Sequence, residues 1–132
     1  MKNREQKAYM TVEMSFLMPV IFLIFMSIVV MFFYFHDKNI LHGAAHETAV
    51  VGSMKIREKE AITEEELISF CRDRIKGKCI LFSRPEVEVE VKTDEVNVDI
   101  FAKKRQYSVS VHKEAAVTEP EKKIRNIRRF EQ

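Results

Sequence analysis

Glycine and proline are scarce in this chain, three of each in 132 residues, and tryptophan is absent. The three glycines stand alone at Gly43, Gly52 and Gly77, so no glycine-rich loop can cradle a phosphate. The same scarcity excludes a Gly- or Pro-rich linker, and no low-complexity tract or internal repeat is present. Cysteine is limited to Cys71 and Cys79, which allow one disulfide at most. A surplus of charge is also missing. The formal net charge is +2, and this balance argues against nucleic acid as the main partner. Enzymatic chemistry finds no support either. No serine sits in a nucleophile turn motif and no carboxylate pair is placed to line a cleft, so no small-molecule substrate, cofactor or catalytic residue is expected.

The most consequential absence is local. From Met14 to Phe35, twenty-two residues pass without a charge, and fourteen of them are Leu, Ile, Phe or Val. At about 1.5 Å per residue a helix of that length reaches roughly 33 Å, enough to cross a bilayer. The large apolar residues favour insertion by up to roughly 4–8 kcal/mol, against which Ser15, Pro19 and Ser27 subtract little. A cleaved secretory signal is the competing reading. It fails because the run ends in bulky Phe32, Phe33, Tyr34 and Phe35, without a small-residue cleavage site. Lys2, Arg4 and Lys7 precede the run against a single Glu5, which places the N-terminus in the cytoplasm and the chain beyond residue 35 outside.

Helical spacing continues past the anchor. Ile40, Leu41, Ala44, Ala45, Thr48, Val51 and Met54 recur every three or four residues, with Lys38, Asn39, His42, His46 and Ser53 on the other side. One helix is therefore predicted from about residue 11 to about 58. A second opens at Thr63, whose spacing to Glu66 is a capping box, buries Leu67, Ile68, Cys71 and Ile75, and stops at Gly77. The period then drops to two over residues 86–92, 96–100 and 107–112, with turns at 92–95 and 102–105. That alternation predicts an antiparallel meander burying Val87, Val89, Val91, Val96, Val98, Ile100, Tyr107, Val109 and Val111 on one face. Residues 79–82 read as an additional short strand. Thr118, Pro120 and the neighbouring glutamates announce a basic C-terminal helix ending near Phe130.

A basic leader, a glutamate at the membrane face, an apolar helix running into an amphipathic one and then a small sheet together resemble type IV pilins and pseudopilins. The closer resemblance is to the TadE-like minor pseudopilins of tight-adherence (Flp-type) pili. It is carried by Thr11, Val12, Glu13 and Pro19, then by Ala44, Ala45, Glu47 and Ala49, over about residues 8 to 53. The resemblance implies a non-catalytic subunit in the cytoplasmic membrane that assists pilus or secretion-system assembly beside other pilins and platform proteins. It also implies cleavage by a prepilin-type peptidase between Ala8 and Tyr9, five residues before Glu13. The family prefers Gly where Ala8 stands. Glu13 would then pair with the free amine of Tyr9 in a neighbouring processed subunit, the alternative being a carboxylate that caps the helix at headgroup level. Pro19 removes one intrahelical hydrogen bond, which either bends the helix or loosens it for subunit packing.

The expected organisation is α+β: a leader at 1–8, a transmembrane helix at 9–35, its extracytoplasmic continuation at 36–59, and a small domain at 60–132. The rival reading is a signal-anchored extracytoplasmic binding module unrelated to pili. Cys71 and Cys79 fall in an oxidising compartment and permit a disulfide, with two free thiols as the alternative. His42 and His46 have i, i+4 spacing, but two ligands do not close a metal site, and the pair reads as solvated. Glu86, Glu88 and Glu90 read as a solvated strand face.

Overall fold

A computed structural model describes residues 2–58, 62–118 and 125, with side chains from residue 12 onward. Helix α1 covers Lys2–Arg57 and α2 covers Glu64–Ile75. Strands β1 (Glu86–Val91), β2 (Glu95–Lys104) and β3 (Tyr107–Ala116) follow in one antiparallel sheet of order β1-β2-β3. The chain is thus α+β, as the change of period from 3.6 to 2 requires. Helix α1 begins well before residue 11. Of the basic C-terminal helix expected around Thr118–Phe130, only Thr118, which is not helical, and Arg125 are among the described residues.

Two compact units divide between Phe35 and His36. In the first, nearly all the large apolar side chains are exposed, from Phe33 at 38% to Phe16 at 79%. The Ser27 hydroxyl within this run donates to the Leu23 carbonyl at 2.8 Å, so that polar group is satisfied within its own helix. Tyr34 and Phe35 meet edge to face at 5.7 Å. The helix has the length and apolarity to cross a membrane.

The second unit begins at His36 and takes the outer part of α1 into its core. Leu41, Ala44, Ala45, Thr48 and Ala49 are buried there with Leu67, Cys71 and Ile75 of α2. The buried face of α1 is rotated slightly from the expected one. Met54 is exposed, Ile40 and Val51 are half-buried, and Ala49 and Gly52 take their place. Small residues win because the neighbours come close. A Cβ built on Gly52 would stand 3.1 Å from the Leu67 side chain and 3.1 Å from that of Val96, so α1, α2 and β2 converge on this hydrogen atom.

Helix α2 starts where the capping box places it. The Thr63 hydroxyl accepts from the Glu66 N–H at 3.4 Å, and three glutamates occupy the positive end of the dipole. It ends through Gly77, whose φ of +75° few side chains tolerate. Glu64 then accepts the Val91 N–H at 3.2 Å, tying the start of α2 to the end of β1.

In the sheet Val87, Val89, Val96, Val98, Ile100, Val109 and Val111 are buried as the alternation predicts. The register pairs Val89 with Val98 and Ile100 with both Val87 and Val111. Four details differ from expectation. Ala102 continues β2, buried opposite Val109, so the turn tightens to Arg105 and Gln106. Tyr107 is 45% exposed because it pairs with Lys104 at the hairpin tip, beyond the core. Ile68 and Val91 are half-buried. Residues 79–82 form no strand, since the N–H groups of Ile80, Leu81 and Phe82 go to a side chain.

The two α1 glycines make opposite predictions. A Cβ at Gly43 meets nothing within 4 Å, so Gly43→Ala should stabilise the fold by up to about 1 kcal/mol through helix propensity. Gly52→Val should destabilise it by about 1–3 kcal/mol through overpacking against Leu67 and Val96. Thermal unfolding of the full chain in detergent, followed by near-UV circular dichroism, measures both.

Candidate functional site

The residues that carry the pilin-like pattern lie along α1. Glu13 is exposed, within the stretch where every side chain from Val12 to Val29 is exposed. Pro19 lies inside the helix and has no N–H for the Ser15 carbonyl. Ala8 and Tyr9 have helical backbone, and their side chains lie outside the described residues. The first unit therefore presents an acid at the edge of an uncovered apolar surface, a form suited to hydrocarbon or to other apolar helices rather than to water.

The Ala44, Ala45, Glu47 and Ala49 pattern belongs to the second unit and has a packing explanation. The three alanines are at most 6% exposed and let the neighbouring elements approach the α1 backbone. Between them Thr48 is fully buried and donates its hydroxyl to the Ala44 carbonyl at 2.8 Å. Glu47 points away from this seam and forms a short ion pair with Arg74, whose guanidinium also lies 5.3 Å from the centre of the Phe70 ring. Alanines thus set the spacing between α1 and its neighbours, while the half-exposed Glu47 and Arg74 pair lies at the outer edge of α2.

The strongest polar feature of this unit is Asp37, which the sequence reading passed over. Its carboxylate is fully buried and accepts three consecutive backbone N–H groups, from Ile80 at 2.9 Å, Leu81 at 2.6 Å and Phe82 at 2.9 Å. The His36 ring stands 3.2 Å away. Burial pushes the Asp37 pKa up, but the Ile80 and Phe82 N–H groups, His36 and the Leu81 N–H outweigh it and hold the carboxyl below the ordinary carboxylate value. One signal was available. Asp37 lies on the same helical line as Leu41, Ala44, Ala45 and Thr48, so a carboxylate heads a buried face.

Both cysteines are free thiols here. Burial pushes the Cys71 thiol up, partly offset by its hydrogen bond with Thr48 and by Arg72. Burial and the Asp37 charge push Cys79 up to about 11. Their neighbours Thr48 and Asp37 are eleven residues apart on α1, about 16 Å along the axis. A disulfide holds its two Cα atoms within about 7 Å, so bridging these thiols requires one of them to leave its present neighbour. His42 is half-buried and His46 exposed, and burial, with Lys113 and Lys38 adding to it, holds His42 below its usual pKa. No group of three or more His, Cys, Asp or Glu able to hold a metal occurs among the described residues.

Residues 9–50 match the family model of the TadE-like proteins. Neither a curated protein nor a solved structure matches the chain. The matched segment lies within α1, takes in the uncovered apolar run and the alanine seam, and includes Asp37.

Asp37→Asn should destabilise the second unit by about 2–4 kcal/mol, because three backbone N–H groups lose a fully buried charged acceptor. The sign with pH follows from the depressed pKa. The stabilisation is fully present above the ordinary carboxylate value near 3.9 and is lost as pH falls through the lower folded value. Melting temperatures of wild-type and variant should therefore differ at neutral pH and converge in acid.

Proposed function

We propose that this chain is a non-catalytic, membrane-anchored minor pseudopilin of a tight-adherence-type pilus or related secretion apparatus, acting in assembly or initiation of the filament. The observation that carries the reading is the TadE-like match over residues 9–50, which falls on a helix long and apolar enough to span a membrane. Under this reading residues 1–8 are a cytoplasmic leader removed by a prepilin-type peptidase between Ala8 and Tyr9. The anchor at 9–35 stores the subunit in the cytoplasmic membrane with its C-terminal part outside, as the Lys2, Arg4 and Lys7 cluster favours. The partners are the bilayer, other pilin or pseudopilin subunits, and platform proteins.

Glu13 receives a role that a simple anchor does not give it. An ionised carboxylate entering an apolar assembly needs a positive partner, and the amine of a processed Tyr9 on a neighbouring subunit supplies one. Pro19, six residues further on, frees one backbone carbonyl and makes that part of the helix easier to adapt to neighbours in a filament.

Two measurements test this. N-terminal sequencing of the protein from native membranes containing its peptidase should begin at Tyr9, and an intact Met1 or Lys2 terminus would remove the processing step. Glu13→Gln should leave membrane insertion unchanged while weakening association with other pilus subunits roughly ten- to a hundredfold, the equivalent of one charge-assisted contact. Equal recovery of partners with wild-type and variant in detergent extracts would reduce Glu13 to a helix-end residue.

A further inference from the structure

Unpaired charge of opposite sign collects on the two sides of the sheet. The outer face carries Glu86, Glu88, Glu90, Asp99 and Glu114, all exposed, against the exposed Lys103 two residues beyond Phe101 on β2. Glu90 pairs with Lys92, and Asp99 lies 2.7 Å from His112. Glu86, Glu88 and Glu114 have no ion-pair partner among the described residues. Phe101 stands amid these acids, 46% exposed, because it faces outward between Glu86 and Ser110. A large aromatic on the solvent face of an otherwise strictly alternating strand is the one breach of that pattern in β2.

On the other side of the sheet, where α2 packs with Val96 around Gly52, a cleft of about 510 Å³ opens between the end of α2 and residues 79–85. Its floor is Ile75, Phe82 and Pro85, and its rim carries Arg72, Lys76 and Arg84 against a single carboxylate, Asp73. The three cations are exposed and form no ion pair among the described residues. An apolar floor inside a cationic rim is the complement of an aromatic side chain inside an acidic rim.

We propose that the acidic outer face around Phe101 docks into the cationic cleft of a second copy of this chain, an inference that rests on the reading of the protein as an assembly subunit. Phe101 enters the cleft of the next copy over Ile75, Phe82 and Pro85, while Glu86 and Glu88 meet Arg84 and Lys76. The two patches lie on opposite sides of one sheet, so each copy offers its face to one neighbour and its cleft to another. Such a heterologous contact does not close on itself as a two-fold pair does, and it extends into a row of subunits. Charge complementarity sets partner and register here, while the buried aromatic supplies the apolar contact.

The test uses the full chain in its native membrane. Ser83 lines the cleft and Ser110 flanks Phe101, and both are exposed. Cysteine substitutions at these two positions, for linkage by a short bismaleimide, are carried in a Cys79→Ala background, since Cys79 is a half-buried free thiol lining the same cleft, while Cys71 is buried. The double variant Ser83→Cys/Ser110→Cys should cross-link into a ladder of dimers, trimers and larger species, with peptides around 83 joined to peptides around 110. Either substitution alone should give dimers at most. Arg84→Glu and Glu88→Arg should each reduce the ladder at least about tenfold, and the two together should restore it. Linkage only between like positions, a ladder indifferent to Arg84→Glu, or a ladder that forms only after removal of residues 119–132 would overturn the proposal, the last in favour of the chain's own basic C-terminal segment. Recovery of other pilus components from the same membranes separates the two readings. An absent ladder with partners recovered overturns the docking surface alone, and a ladder without partners leaves the surface standing and overturns the pilus assignment.

Discussion

The carboxylate of Asp37 holds the second unit in register. The segment between α2 and β1 has no strand partner, yet it enters the core at Phe82, and its N–H groups at Ile80, Leu81 and Phe82 need an acceptor other than a neighbouring strand. One side chain takes all three. This fixes the connection to the first turn of α1 beyond the apolar run, seats Phe82 in the core at 2% exposure, and delivers the chain to Glu86 with the valines of β1 facing inward. Without that acceptor three donors lose their partner, the buried Phe82 N–H among them, and the path from α2 into the sheet has no reason to follow its present course.

The second constraint is size. A helix can lie close to both another helix and a sheet only where its side chains are small, and α1 supplies Ala44, Ala45, Ala49 and Gly52 along one line. The consequence is a division of labour within one helix. Its first part keeps large apolar residues outward, suited to a membrane, and its second part keeps small residues inward, suited to a compact fold. Residues 9–50, the TadE-like stretch, take in both. A boundary drawn at residue 60 would cut Leu41, Thr48 and their neighbours away from the core they complete.

Much of the architecture was readable because it is local. The absence of charge between Met14 and Phe35, the Thr63 and Glu66 cap, the stop at Gly77 and the alternating valines each act within a few residues of sequence. The misreadings share a cause. Tyr107 fits the alternation but falls past the end of the covered face, and Ala102 resembles a turn residue until its pairing with Val109 is known. Residues 79–82 read as a strand from composition, but their hydrogen bonds go to a carboxylate more than forty residues earlier.

By itself the sequence determined the long apolar helix, the kind and order of the five described elements, the face that each strand buries, and the TadE-like pattern of Thr11, Val12, Glu13 and Pro19. These depend on hydrophobic periodicity, chain length and capping, all properties of neighbouring residues. Only the tertiary structure decided that Asp37 is an internal acceptor rather than a membrane-edge charge, and that Gly52 is the point where α1, α2 and β2 converge. It also placed Phe101 among acids on one side of the sheet and a cationic cleft on the other. Each of these joins residues distant in sequence, and their meeting is set by how the packed elements cross, which no local period records.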